Sequence, residues 1–153
     1  MDNDLAVRLA AFQWLAEKTK TMGDVLPYAM LIEGFPYESQ RVPLVAPQGI
    51  FKPKVLDLPL TIRTTPDSPY PDKYARDHLD YSYRGTNPGH TDNVGLRKLM
   101  SINRPLIYFY GIVPGRYLVV WPVYIAADNP DQLRFSVQVD DKNTANLVQD
   151  TKT

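Results

Sequence analysis

Apolar and polar positions divide the chain into a helical N-terminal part and a longer part with strand patterns. Between positions 4 and 20, apolar residues recur at helical spacing and charged residues fill other positions, which predicts an amphipathic helix. A second helix is predicted from Asp24 to Glu33, with Gly34 as its C-terminal stop. We expect this N-terminal helical pair, residues 1–40, to pack on a sheet formed by the rest of the chain.

The longest apolar runs predict two buried central strands. They are Leu106–Gly111 and Tyr117–Ile125, and both are rich in β-branched and aromatic residues. Pro114-Gly115 lies between them and predicts a hairpin turn. Alternation of apolar and polar residues predicts three shorter strands, at 58–62, 79–83 and 133–139.

Polar or proline-rich segments connect these elements. The five prolines between 35 and 59 predict an ordered loop with short extended pieces, and 65–78 is predicted to be a second loop. The segment RGTNPGHTDN at 84–93 has hydrogen-bonding groups and nothing to bury, which is typical of a binding loop. A short helix is predicted from Asn93 to Met100, with Asn93 as its N-cap.

Together these elements predict an α+β fold, a twisted, partly closed, mainly antiparallel β-barrel flanked by two or three helices. Residues 41–139 form the predicted core of a single domain. Residues 140–153 are polar and lack periodicity, which indicates a linker or tail. We expect this segment to lead to a further domain.

Composition narrows the function classes. The chain has no cysteine, which excludes disulfides, thiolate zinc sites and cysteine nucleophiles and is compatible with a cytoplasmic location. No apolar run reaches the roughly 20 residues of a membrane helix. The 17 basic and 17 acidic residues balance, but residues 41–116 hold 11 basic and 6 acidic side chains, a net charge of +5. This basic middle permits a polyanion-binding face, and a merely solvated surface is the alternative.

Catalytic motifs are missing from the sequence. The two histidines, His78 and His90, are isolated, and no phosphate loop, metalloprotease motif or nucleophile elbow is present. We therefore expect neither enzyme activity nor a metal or cofactor. Tyr70 and Tyr83 instead lie near loops, with Asp72 between them in sequence. An extruded nucleobase needs ring faces to stack on and polar groups for its edge, and a carboxylate can accept from the amine of cytosine. The alternative is that both tyrosines are ordinary strand and turn residues.

The middle of the chain resembles the SET- and RING-associated (SRA) domain, which binds methylated cytosine. The resemblance covers roughly residues 41–125. It rests on YSYRG at 81–85, the polar loop that follows, the helix with Leu96, GRY at 115–117, and PLVAPQGI at 43–50. The phrases RVPLVAPQGIFKP and YFYGIVPGRYLVVWPVYI are also similar to the SRA-like module of bacterial modification-dependent (type IV) restriction proteins, which usually precedes an HNH nuclease domain.

The resemblance implies roles for individual residues. It places base stacking on Tyr83 and Tyr70 and recognition of the cytosine edge on Asp72. Gln48 falls in the segment that enters the minor groove, and Asn93 falls at the asparagine of the DNA-contacting finger. Charge and nearness to these loops add four candidate phosphate contacts, namely Lys52, Arg84, Arg97 and Lys98. His90 in the polar loop is a further predicted DNA-binding residue.

The implied function is recognition of double-stranded DNA that carries 5-methylcytosine or 5-hydroxymethylcytosine, by base flipping and without turnover. An HNH-type restriction nuclease in cis would lie beyond Thr153, since this chain lacks the cysteines of such a domain. Two alternatives stay open: a reader of another mark, such as N6-methyladenine or phosphorothioate, and a protein-interaction or oligomerisation domain. The sequence also leaves open whether the chain forms a homodimer.

Overall fold

The computed structural model describes residues 3–68, 72–75 and 77–140. Three α-helices lie in this part of the chain: α1 (Asn3–Met22), α2 (Tyr28–Glu33) and α3 (Thr91–Ile102). The strands are β1 (Val25–Pro27), β2 (Phe35–Tyr37), β3 (Gln40–Val42), β4 (Ile50–Phe51), β5 (Thr61–Thr64), β6 (Lys73–Ala75), β7 (His78–Ser82), β8 (Leu106–Val113), β9 (Arg116–Asn129) and β10 (Arg134–Val139). The mixed α+β class is therefore confirmed, whereas the division into domains stays a prediction.

The main sheet is open at both ends. Its strand order is β4-β5-β8-β9-β10-β7-β6, and β1 pairs with the beginning of β9. The strands pair antiparallel except for the parallel pair β5 and β8. The sheet curls enough to bring β5 and β7, which are not neighbours in it, within reach of each other: the Tyr81 hydroxyl on β7 donates to the Arg63 carbonyl on β5 at 3.1 Å. No strand pairing closes it among the described residues, so the predicted barrel is not confirmed.

The predicted helix Asp24–Glu33 is wrong in its first half. Val25–Pro27 is extended and pairs with β9, Val25 opposite Leu118, and only Tyr28–Glu33 is helical. Pro27 explains the late start, because proline has no N–H for an interior helical bond and here has φ −74° and ψ 145°. Gly34 ends α2 as predicted, at a φ of 80° that favours glycine.

Two other segments differ from the prediction. Lys73–Ala75 lies inside the predicted loop 65–78 but pairs with β7 as an edge strand. The predicted strand at 58–62 begins only at Thr61, after Pro59. By contrast, the Pro114-Gly115 turn is confirmed, since β8 ends at Val113 and β9 begins at Arg116.

Burial on both faces explains the unbroken apolar runs of β8 and β9. Ile107 and Phe109 face a cluster with Val7, Ala11 and Leu15 of α1. Their neighbours Leu106 and Tyr108 face the opposite side, where the curled sheet encloses Leu96 and Leu99 of α3. A strand that is covered on both sides does not alternate between apolar and polar residues.

A buried arginine ties α1 to the sheet. Arg8 is 0 % exposed and donates to Asp4 at 2.7 Å and to the carbonyls of Pro59 (2.8 Å) and Pro105 (2.9 Å). Arg104 also donates to Asp4, at 2.8 Å. Burial alone raises the pKa of Asp4, but the hydrogen bonds and charges of Arg8 and Arg104 outweigh it and hold the pKa below its usual value.

We expect Asp4→Asn to lower the free energy of unfolding at pH 7 by about 2 kcal/mol, the cost of weakening hydrogen bonds to a buried charged group. The native pKa of Asp4 lies below its unfolded value, so the carboxylate stabilises the protein above the unfolded pKa. That stability is lost as the pH falls through the native pKa. Urea unfolding at several pH values should therefore show the two proteins converging below about pH 4, the unfolded value. A difference that stays constant down to pH 2 would contradict this role.

Candidate nucleic-acid interface

A cavity of about 280 Å³ opens between the loop 47–50, the end of β5 and the end of β7. Four residues from the predicted DNA-binding set line it: Gln48, Asp72, Tyr83 and Arg84. Three separate stretches of sequence supply these side chains, and the fold brings them together. The volume is close to the lower limit of roughly 300 Å³ for small-ligand pockets, a scale that suits one ring system.

Asp72 is held rigidly in the cavity wall. One carboxylate oxygen accepts from the Thr64 hydroxyl at 2.8 Å, and the other accepts from the Ser82 amide at 2.7 Å. The Tyr108 hydroxyl donates in turn to Thr64 at 2.8 Å. Because each carboxylate oxygen can accept more than one hydrogen bond, Asp72 keeps capacity for a donor on a ligand.

Gly49 allows the loop to approach the sheet closely. A Cβ atom at Gly49 would lie 2.9 Å from the Tyr81 hydroxyl and 3.2 Å from the Arg63 carbonyl. Burial, followed by the charge of Asp72, raises the pKa of the Tyr81 phenol well above its usual value. Tyr81 therefore stays protonated and keeps its bond to Arg63 over the whole working pH range of a protein.

Tyr83 is buried rather than presented. Its side chain is 1 % exposed, its ring centroid lies 4.8 Å from that of Phe135, and its hydroxyl donates to Asp128. Burial and the bond to Asp128 raise the pKa of Tyr83, so the phenol remains a donor. Its ring packs against Phe135 in this conformation, and base stacking by Tyr83 stays a prediction. Tyr70, the second predicted stacking residue, lies outside the described residues.

The sequence predicted Asn93 as the N-cap of α3, and this prediction is wrong. His90 is the N-cap and accepts from the Asp92 amide through Nδ1 at 3.1 Å. Asn93 is buried inside the helix, where Oδ1 accepts from the Arg84 amide at 2.8 Å. Its Nδ2 donates to the carbonyls of Arg84 (3.1 Å) and Asn87 (2.9 Å). Asn93 thus braces the polar loop 84–90, and both of its amide hydrogens are already used.

Two of the predicted phosphate contacts are paired with carboxylates. Arg84 donates to Asp92 at 2.7 Å, and Arg97 donates to Asp128 at 2.6 Å. Arg97 also donates to the Pro88 carbonyl at 3.3 Å and therefore braces the polar loop as well.

The two predicted lysines differ in position. Lys52 donates to the Leu56 carbonyl at 2.9 Å and lines a second groove, beside Phe51 rather than Ile50. Lys52 is not among the described residues that line the cavity beside Asp72. Lys98 is exposed on α3 and has no ion pair within the described ranges, which leaves its charge available.

Arg63 and Asp128 are site residues that the sequence analysis missed. Arg63 lines the cavity and contacts the loop before Gln48, while Asp128 binds both Tyr83 and Arg97. These partners are 16 to 45 residues away in sequence, and no local spacing signals such pairs.

Neither a metal site nor a membrane helix is found where the structure describes the chain. No three His, Asp or Glu side chains are grouped to hold an ion there. None of the described helices is long and apolar enough to cross a membrane.

Comparison with known proteins gives one structural likeness. No protein-family profile and no curated protein matches the chain. Among solved structures, the chain is similar to the SRA domain of SUVH5 in complex with methylated CHH DNA. The two share 17 % sequence identity with a TM-score of 0.41, over 71 % of this chain and 87 % of that one. This neighbour is of the family that the sequence motifs resemble.

We expect Asn93→Leu to lower the free energy of unfolding by about 1–3 kcal/mol, because it leaves buried backbone groups of the polar loop without partners. The Arg84 amide should then exchange its hydrogen faster. Val94→Ala, at an exposed position of the same helix, is the matched control and should change both quantities little. Equal stability and equal exchange in the two variants would refute the bracing role of Asn93.

Proposed function

We propose that this chain binds duplex DNA carrying a modified cytosine and accommodates the extruded base in the cavity beside Asp72. The carrying observation is that Asp72 lines the cavity, is fixed by Thr64 and Ser82, and can still accept a further hydrogen bond. The SRA-like motif around Tyr83 borders the same cavity. Ile50, an apolar residue of the cavity wall, would give the base a surface to pack on.

The chemistry separates recognition of the base from recognition of its modification. The exocyclic amine of cytosine can donate to Asp72, whereas thymine has an acceptor at that position, so the carboxylate favours cytosine. A methyl group leaves this amine unchanged and must be sensed by apolar contact. Burying it contributes about 0.8 kcal/mol, so we expect only modest discrimination from the methyl group alone.

Base extrusion costs a few kcal/mol, and contacts in the cavity must offset that cost. Stacking by Tyr83 would require its ring to leave Phe135 and its hydroxyl to leave Asp128. We therefore propose that Tyr83 forms the back wall of the resting cavity and that any stacking follows a rearrangement when DNA binds.

The proposed role is binding without turnover. By this account the chain selects modified DNA for a restriction nuclease, and a separate domain of the HNH type supplies the cleavage. Lys98, with its available charge on α3, is the most direct phosphate contact of the predicted set.

We expect Asp72→Asn to weaken binding to a duplex with one 5-methylcytosine at least tenfold, which equals about 1.4 kcal/mol. The asparagine oxygen would accept from Ser82, which leaves its NH₂ group near Thr64 and the base amine as a competing donor. Fluorescence anisotropy at constant salt measures the affinity. Asp67→Asn, at an exposed loop position, is the matched control and should bind like the natural sequence.

The same titration tests the proposed ligand. Duplexes with cytosine, 5-methylcytosine, 5-hydroxymethylcytosine, N6-methyladenine and phosphorothioate should be compared side by side. A preference for one of the last two marks would replace modified cytosine as the ligand. Absence of DNA binding by the folded natural chain would overturn the proposal as a whole.

A further inference from the structure

Arg63 holds an unusual set of contacts at the rim of the cavity. Its guanidinium lies 5.3 Å from the ring centroid of Tyr28 and 5.5 Å from that of Tyr117, within the range of cation–π attraction. One terminal nitrogen donates to the Tyr117 hydroxyl at 2.9 Å. The side chain therefore joins α2 and β9 at the edge of the site.

The other terminal nitrogen of Arg63 holds the cavity loop. It donates to the carbonyls of Ala46 at 2.7 Å and Pro47 at 3.1 Å, directly before Gln48. Both bonds hold the beginning of the loop 46–49. The guanidinium of Arg63 therefore helps to position Gln48 and Gly49 in the cavity wall.

The charge of Arg63 is not used in an ion pair. No carboxylate lies within salt-bridge distance of it among the described residues, and its Nε is buried without a partner. The site depends instead on the planar fork of the guanidinium, whose N–H groups reach the Tyr117 phenol and the two loop carbonyls at the same time. A lysine offers a compact point charge and cannot reproduce that arrangement.

We propose that Arg63 is a positioning residue, which fixes the Gln48–Gly49 wall of the cavity without contacting DNA. This inference rests on the proposed function of the cavity. If the wall is loosened, the base loses its fitted surface, whereas phosphate contacts elsewhere are retained. Arg63 should therefore control the preference for modified DNA rather than the electrostatic part of the affinity.

The test uses Arg63→Lys, with Lys98→Ala as the comparison for a phosphate contact. Both are titrated with a 5-methylcytosine duplex and its unmodified counterpart at several salt concentrations. Arg63→Lys should lower the affinity ratio at least threefold and leave the salt slope unchanged. Lys98→Ala should lower the salt slope by about 0.9, the value for one lost phosphate contact, and keep the ratio. Arg63→Lys keeps the positive charge, so the affinity ratio decides the test, and a ratio that persists in this variant would overturn the inference.

Two further measurements keep the test decisive if Arg63→Lys folds poorly or if the natural chain shows no preference. Tyr117→Phe removes one acceptor of the fork but keeps the ring, and it should lower the ratio in the same direction by a smaller factor. In the protein without DNA, ¹⁵N relaxation should show that Arg63→Lys lowers the order parameters of the Gln48 and Gly49 amides from about 0.85 towards 0.6. Unchanged order parameters would refute the positioning role.

The two proposals fail in different ways. Lowered order parameters in Arg63→Lys, together with no modified-DNA preference in the natural chain, would leave Arg63 as the residue that positions the loop and would refute the proposed function. The double variant Arg63→Lys/Gln48→Ala should show the same preference for modified DNA as Arg63→Lys alone, because both changes act through one loop. Additive losses would show that Arg63 acts by another route.

Discussion

Two-sided burial of the β8–β9 hairpin is the constraint on which the rest of the structure depends. Helix α1 covers one face, and the curled sheet with α3 covers the other, so both faces of these strands are apolar. The covered faces of this hairpin leave little room for polar groups with spare hydrogen-bonding capacity. The cavity lies instead where the ends of β5 and β7 meet the loop 47–50.

Single polar side chains hold the loops around the cavity. Asn93 makes three bonds to the loop 84–90, Arg63 makes two to the loop 46–49, and Asp128 holds Tyr83 and Arg97 together. Fixing loops in advance reduces the entropy that a ligand must pay on binding. The same bonds occupy groups predicted to contact DNA, so binding through Arg97 or Tyr83 must compete with Asp128.

The sequence predicted what local patterns determine and missed what distant contacts decide. Apolar runs and Pro114-Gly115 located the central hairpin, and the family resemblance selected Gln48, Asp72 and Tyr83, which line one cavity. The pairing of β1 with β9 overrode the helical pattern after Asp24. Edge strand β6 carries little apolar signal of its own. Asparagine is a residue type common at helix N-caps, but Asn93 is buried and holds the polar loop instead. Arg63 acquires its role only through contacts with residues far along the chain.

The central claim is that a modified cytosine leaves the duplex and enters the cavity beside Asp72. A duplex with 2-aminopurine next to a single 5-methylcytosine reports this directly, because the fluorescence of 2-aminopurine rises when its neighbour unstacks. The account predicts a rise of several-fold at saturating protein, which Asp72→Asn removes when it is compared at equal occupancy. An unchanged signal in a complex that anisotropy shows to be saturated would mean that the base stays stacked, and would contradict the account.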